Sequence, residues 1–204
     1  WAFTLDSARQ GFNMLAAYGV NFYIPHLFHY SMDQPGTVGD WPNSWFYRNP
    51  YWKYFKTLAD HGRRLSFMLT GGEHIADVAI VYPESNQWAG HGPGTTEETL
   101  ELLVAAHIDT EIIDPNSLML ARIEGNTLVA GGMRYKAIIV PGLRCMRRAE
   151  VDKLLEFLKA GGVVLLHDRW PDESMDEGRD DPHMAQFREE AAAFGLAVIS
   201  SDDT

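Results

Sequence analysis

Four side chains able to move protons or hold hydroxyl groups crowd into one short stretch, PHLFHYSMD: His26, His29, Tyr30 and Asp33. The loop beyond it, PGTVGDWPNSWFYRNP, adds Trp41, Trp45, Phe46 and Tyr47, whose flat apolar faces suit the face of a sugar ring. Asp40, Asn43 and Arg48 stand among them as hydrogen-bonding partners for hydroxyls. His26 and His29 are three apart and could converge in a turn. A catalytic zinc needs a third protein ligand at a defined spacing, however, so the pattern assigns no metal and no cofactor. The substrate-binding candidates are therefore His26, His29, Tyr30, Asp33, Trp41 and Trp45.

The elements that must position them read helix, strand, long loop, helix. DSARQGFNMLAAYGV carries Ala8, Phe12, Leu15, Ala16 and Tyr18 near helical spacing, with Asp6 or Ser7 expected as N-cap and Gly19 as the stop. VNFYI follows as a buried strand ending at Pro25, and YWKYFKTLADHGRRLSFMLTGG returns to helical periodicity until Gly71 and Gly72. One strand between two helices cannot bury a sheet edge, so residues 1–74 read as the C-terminal end of a (β/α) barrel. In a barrel the residues just past a strand line the active face, which is where His26, His29, Tyr30 and Asp33 fall.

Residues 75–204 alternate differently. Strands DVAIVYP, TEIIDP, KAIIVPG, VVLLH and LAVIS are separated by amphipathic helices, with a hairpin in ARIEGNTLVAGGMRY turning at Gly125-Asn126. Thr95 and Glu98 have capping-box spacing at the start of TTEETLELLVAAH. The expected class is α/β: the terminal part of a TIM-like barrel, followed by a flavodoxin-like parallel sheet with helices on both faces.

Nucleotide chemistry finds little support here. No G-x-G-x-x-G follows the first of these strands and no G-x-x-x-x-G-K-[ST] occurs. GHGPGTT offers glycines before a helix N-terminus, but Pro93 removes a donor and no lysine is near, so it reads as a capped loop. KAIIVPG, a helix and GGVVLLH also resemble the class I glutamine-amidotransferase-like fold. Where that fold would place a nucleophilic cysteine, this chain has His167 and Asp168. Cys145, in PGLRCMRR, has Arg144, Arg147 and Arg148 beside it to favour a thiolate, but no evident base, so the module reads as catalytically silent.

Composition narrows the partners. A net charge of -11 with scattered lysines and arginines gives no footprint for nucleic acid, and no apolar run is long enough to span a bilayer. At 46% hydrophobic residues the chain can bury a substantial core. The lone Cys145 excludes an internal disulfide framework and leaves the compartment open between cytoplasm and export. The chain starts at Trp1 without a methionine and is expected to be a piece of a longer protein.

AAYGVNFYIPHLFHYSM, then WPNSWFYRNPYWKYFKTLADHGRRLSFMLTGG, then HIADVAIVYPE together resemble the end of the catalytic barrel of alpha-L-rhamnosidase-like glycoside hydrolases and its passage into the next domain. That pattern is a G-[IV]-N strand ending in histidine, an N-P-W or N-P-Y helix start, an arginine-containing helix ending in glycine, and an A-D-V strand opening a Rossmann-like domain. Its specific residues cover about 18 to 84 of this sequence. Large beta-galactosidases with an amidotransferase-like domain behind the barrel are similar in outline. The resemblance implies a carbohydrate substrate, with His26 and His29 at the barrel mouth, and a catalytic acid and nucleophile supplied upstream of Trp1.

Glycoside hydrolysis generally needs two carboxyl groups roughly 5 to 10 Å apart. Asp6 and Asp60 read as helical and remote, Asp33 and Asp40 as loop residues without a partner, and Glu84 as a solvated strand-end group. The expectation is thus a glycosidase fragment, inactive alone. The alternatives are a noncatalytic structural or homo-oligomerising module, a beta-galactosidase-type fragment, and a small-molecule-binding flavodoxin-like domain.

Overall fold

The computed structural model describes residues 3–26, 28, 29, 31, 33 and 44–200. The chain divides into two compact units, Trp1–Glu73 and His74–Thr204.

In the first unit, helix α1 (Leu5–Ala17) is capped by Thr4, whose hydroxyl accepts from the Ser7 N–H at 3.1 Å. The cap thus lies two or three residues earlier than Asp6 or Ser7. Asp6 instead pairs with Arg9 and Gln10 on the exposed face. A 3₁₀ turn (Trp52–Tyr54) leads into α2 (Phe55–Leu69), which packs against α1. Gly62 makes that packing close: a Cβ there would lie 2.9 Å from the Phe12 ring. Phe12 in turn stacks on Tyr23 with centroids 4.5 Å apart, and the Tyr23 hydroxyl donates to the carbonyl of Val20.

The strand expected over VNFYI does not form. Residues 20–26 pair with no neighbour among the described residues, although the alternation survives: Tyr23 turns inward while Phe22 and Ile24 stay exposed. A strand is held by a partner that takes its N–H and C=O groups, and alternation alone does not supply one.

The second unit is built on strands β1 (Val78–Val81), β2 (Thr110–Ile113), β6 (Ala137–Pro141), β8 (Val163–His167) and β11 (Ala197–Ile199), all parallel. Their spatial order is β2-β1-β6-β8-β11. Counted as successive parallel strands this is 2-1-3-4-5, the doubly wound order whose switch point falls between β1 and β6. Ala79, Ile80, Val81, Ile138, Val140 and Leu166 are fully or almost fully buried, as strands covered on both faces must be.

Around this sheet run α3 (Glu84–Trp88), α4 (Thr96–Ala105), α5 (Pro115–Leu120), α6 (Arg148–Lys159) and α7 (Pro182–Ala193). Helices α5, α6 and α7 lie side by side, and right-handed crossovers send α4 to the opposite face. Strands β3 (Arg122–Glu124), β4 (Thr127–Ala130) and β5 (Met133–Tyr135) form an antiparallel meander. Its second turn, at Gly131-Gly132, extends the hairpin expected at Gly125-Asn126. The acidic loop after β8 also contains structure: β9 (Glu173–Ser174) pairs with β10 (Gly178–Arg179) on one side and with β7 (Cys145–Met146) on the other.

Two polar ties close this unit. Asp181 caps α7 and takes both prongs of the Arg148 guanidinium at 2.8 Å, joining α7 to the start of α6. His74 sits between Glu111 (2.5 Å) and Asp109 (3.0 Å), pinning the entry of the unit to the edge strand β2. Burial alone would lower the His74 pKa, but the hydrogen bonds the charged ring donates to both carboxylates outweigh it and raise it above the ordinary imidazole value.

Two outcomes follow. Phe157, fully buried and wedged against Gly162, should cost about 3–5 kcal/mol of unfolding free energy when replaced by alanine, measured by urea denaturation. The His74 contribution is fully present below the unfolded imidazole pKa and is lost as pH rises through the raised folded value. The melting-temperature gap between wild type and His74→Gln should therefore narrow from mildly acidic to mildly alkaline pH.

Candidate functional site

The first unit presents an aromatic assembly. Phe28 meets Phe46, Trp52 and Phe55 with centroids 5.6 to 6.1 Å apart, mostly edge to face. Trp45 stands edge-on to Phe3 at 5.8 Å and lies 6.1 Å from Phe55. Buried Ser44 and Asn49 hold the chain that carries these rings: the Ser44 hydroxyl accepts from the N–H groups of His29 and Phe46, and Asn49 donates to the Ser44 carbonyl. The rings of this loop are thus partly packed inward, while Tyr47 remains exposed beneath the Arg48 guanidinium.

Beside this assembly opens a cleft of about 320 Å³ whose walls include Phe12, Phe22, Tyr23, Pro25, Phe28 and Phe55. Its size fits a small ligand and its lining is largely apolar. Pro25 and Phe28 flank His26 in sequence, yet neither His26 nor His29 lines the cleft. His26 is exposed and His29 half-buried. Asp33 accepts from the Ser31 hydroxyl at 2.9 Å and lies 3.7 Å from Arg48. Trp45 belongs to the aromatic assembly, and Tyr30 and Trp41 lie outside the described residues. The other described carboxylates of this unit are Glu73, Asp6 and Asp60, and Asp60 is paired with Lys56 and Arg63 on α2.

In the second unit, polar chemistry gathers at the carboxyl ends of the parallel strands. Gly94 passes so close to the end of β6 that a Cβ would lie 2.2 Å from the Pro141 carbonyl oxygen, and the next N–H, of Thr95, donates to that same oxygen at 2.9 Å. This seats the first turn of α4 over the end of β8. Thr95 then makes no side-chain cap for α4, contrary to its capping-box spacing, because its hydroxyl lies 3.0 Å from His167 Nδ1. The Thr99 hydroxyl lies 2.7 Å from the same nitrogen. Glu98, between them in sequence, offers its carboxylate near His167 and Asp168. Asp168 holds a left-handed backbone (φ 68°), with its N–H bonded to the Ile199 carbonyl.

Two expectations about this end of the sheet need correction. Glu84 is no solvated group: it opens α3 and accepts from Arg147 at 3.2 Å. Cys145 is fully buried, and desolvation, aided by the negative field of Glu173, Glu150, Asp176 and Asp172, pushes its thiol up to about 11. The neighbouring arginines do not produce a thiolate because they are spent elsewhere. Arg144 pairs with Asp172, Arg147 with Glu84, and Arg148 with Asp181. Thr95 and Glu98 are masked as site residues in the sequence because their spacing is that of a helix cap. The HD pair closing VVLLH was the available signal, since ligands in open α/β sheets collect at strand carboxyl ends.

Residues 1–194 match the model of glycoside hydrolase family 106, alpha-L-rhamnosidase, and the chain belongs to that family. No curated protein matches it. Among solved structures it is similar to Gan42B, a GH42 beta-galactosidase, at 23% identity and a TM-score of 0.41, over 61% of this chain and 18% of that one. A catalytic mutant of Gan42B from G. stearothermophilus gives 22% identity and a TM-score of 0.42 over the same shares. A beta-galactosidase from Bifidobacterium adolescentis is 15% identical with a TM-score of 0.41, over 57% of this chain and 54% of that one. The chain thus spans less than a fifth of Gan42B and about half of the Bifidobacterium protein. Among the described residues, no helix is long and apolar enough to cross a membrane.

A thiol raised from 9.0 to about 11 has about a hundredfold less thiolate at pH values of about 8 and below. Iodoacetamide at pH 8 should therefore label native Cys145 at least about a hundredfold more slowly than the urea-unfolded chain; equal rates would show an exposed thiol.

Proposed function

We propose that the chain serves the hydrolysis of alpha-L-rhamnosides, with its first unit giving surface to the sugar and its second unit acting as an accessory domain. The family match over residues 1–194 is the observation that carries this reading. His26, His29, Tyr30, Asp33, Trp41 and Trp45 are the proposed sugar contacts. Exposed His26 and Asp33 are suited to hydroxyl groups, and the aromatic rings around Phe28 and Trp45 to the apolar face of a deoxy sugar, whose methyl group adds apolar surface.

The division at 73/74 supports treating the second unit as a separate, flavodoxin-like and amidotransferase-like domain. Its silence as an amidotransferase follows from a buried cysteine whose thiol stays protonated. Hydrolysis itself requires a carboxyl pair about the scissile bond. Asp60 is engaged with cations on an exposed helix face, Asp6 likewise, and Asp33 with Ser31 and Arg48, so the reading assigns the acid and base to other parts of the enzyme.

The test is a titration of isotopically labelled chain with L-rhamnose and, in parallel, D-galactose, followed by amide and indole NMR shifts. L-Rhamnose should move the resonances of His26, His29, Asp33 and Trp45 and leave those of the second unit in place, and Trp45→Ala should weaken the response by about tenfold, a loss in the range of one aromatic contact. Shifts confined to the second unit, or no shift at saturating sugar, would overturn the assignment.

A further inference from the structure

The polar cluster at the carboxyl end of β8 has no part in the reading above. An imidazole nitrogen of His167 and carboxylate oxygens of Glu98 and Asp168 lie within 4.8 Å of one another, with His167 Nε2 3.9 Å from Asp168 Oδ1. What makes the cluster more than a group of neighbouring charges is the state in which the fold holds the imidazole.

The Thr99 hydroxyl donates its only proton to the Thr95 carbonyl at 2.7 Å. Its oxygen can therefore meet His167 Nδ1, also at 2.7 Å, only by accepting, which fixes the proton on Nδ1. The neutral ring then presents a bare lone pair at Nε2, the form that binds metals. Its nearest charged neighbour is Asp168 Oδ1 at 3.9 Å, too far for a hydrogen bond. His167 is only 6% exposed, so its ring cannot swing away, and Glu98 and Asp168 stand exposed beside it. Two ligands on one tetrahedral ion lie about 3.4 Å apart, a small step from the spacing present. A ligating imidazole commonly donates its other ring N–H to an oxygen acceptor that fixes its tautomer, a role the Thr99 hydroxyl fills here.

We propose that Glu98, His167 and Asp168 bind a divalent transition-metal ion of the zinc class, with Thr99 as the residue that positions the imidazole. One nitrogen and two carboxylates favour Zn²⁺, Co²⁺ or Mn²⁺ over Ca²⁺ and Mg²⁺, which prefer all-oxygen shells, and over Cu⁺, which seeks sulfur. The net charge of -11 raises the local cation concentration, and the two carboxylates offset the positive end of α4. The three ligands come from two crossovers of the sheet, so the ion would also tie α4 to β8.

The experiment uses the whole chain, stripped with chelator and dialysed, then titrated with Zn²⁺ by calorimetry and with Co²⁺ by visible absorption. One equivalent should bind with micromolar or tighter affinity and raise the melting temperature. Glu98→Gln and Asp168→Asn should each weaken binding about tenfold, and Thr99→Val by about 10–100-fold, while His183→Gln on the far side of α6 leaves it unchanged. His167→Gln should abolish it. Absence of saturable binding, or His167→Gln binding as tightly as wild type, overturns the proposal. Should the variants fail to fold, long-range ¹H–¹⁵N spectra of the metal-free wild type decide. A proton on Nδ1 and an Nε2 resonance that moves with Zn²⁺ support the site, and a proton on Nε2 at neutral pH overturns it.

Discussion

The close passage of Gly94 under the Pro141 carbonyl organises the carboxyl end of the parallel sheet in the second unit. With a Cβ the two would stand 2.2 Å apart, so glycine is the one residue that fits, and its positive φ of 61° turns the chain into α4 at that point. The Thr95 N–H then anchors to the same oxygen. Everything that gathers around His167 follows from that contact. The first turn of α4 lies across the end of β8, Thr95 gives its hydroxyl to His167 rather than to its own helix, and Glu98 comes within reach of Asp168. The helix loses a cap and the sheet gains a polar site.

The first unit is organised on different physics. Its described part has two α-helices and no ladder, and its cohesion is aromatic: Phe12 stacked on Tyr23 over the gap left by Gly62, and Phe28 in ring contact with Phe46, Trp52 and Phe55. Buried Ser44 and Asn49 supply the polar joints that hold the loop against those rings. Phe12, Tyr23, Phe28 and Phe55 also line the cleft, so packing and cleft surface share these side chains. That sharing explains why Phe22 and Ile24 can stay exposed while Tyr23 between them is fixed.

Much of the second unit could be read directly from the sequence. DVAIVYP, KAIIVPG and VVLLH became β1, β6 and β8, because apolar runs bounded by Pro, Gly and charged residues have few other ways to be buried. What escaped was set by tertiary contacts. VNFYI has the alternation of a strand and no partner among the described residues. Thr95 and Glu98 have the spacing of a cap and face a histidine that arrives from far along the chain. Cys145 has arginines on either side in sequence, yet each is claimed by an acid brought in by folding, leaving the thiol in an apolar, negatively polarised setting. Among the substrate-binding candidates, the aromatic character of the Trp45 segment was legible, but the inward packing of its rings depended on Ser44 and Asn49, small polar residues with no distinctive pattern.

The chain belongs to the alpha-L-rhamnosidase family, and under the proposed function its first unit gives surface to the sugar rather than the carboxyl pair that breaks the bond. Release of 4-nitrophenol from 4-nitrophenyl alpha-L-rhamnoside by the 204-residue chain tests this most directly. The predicted result is no release above the buffer rate. Sustained turnover that disappears on replacing one carboxylate of the chain, such as Asp33→Asn, would contradict it.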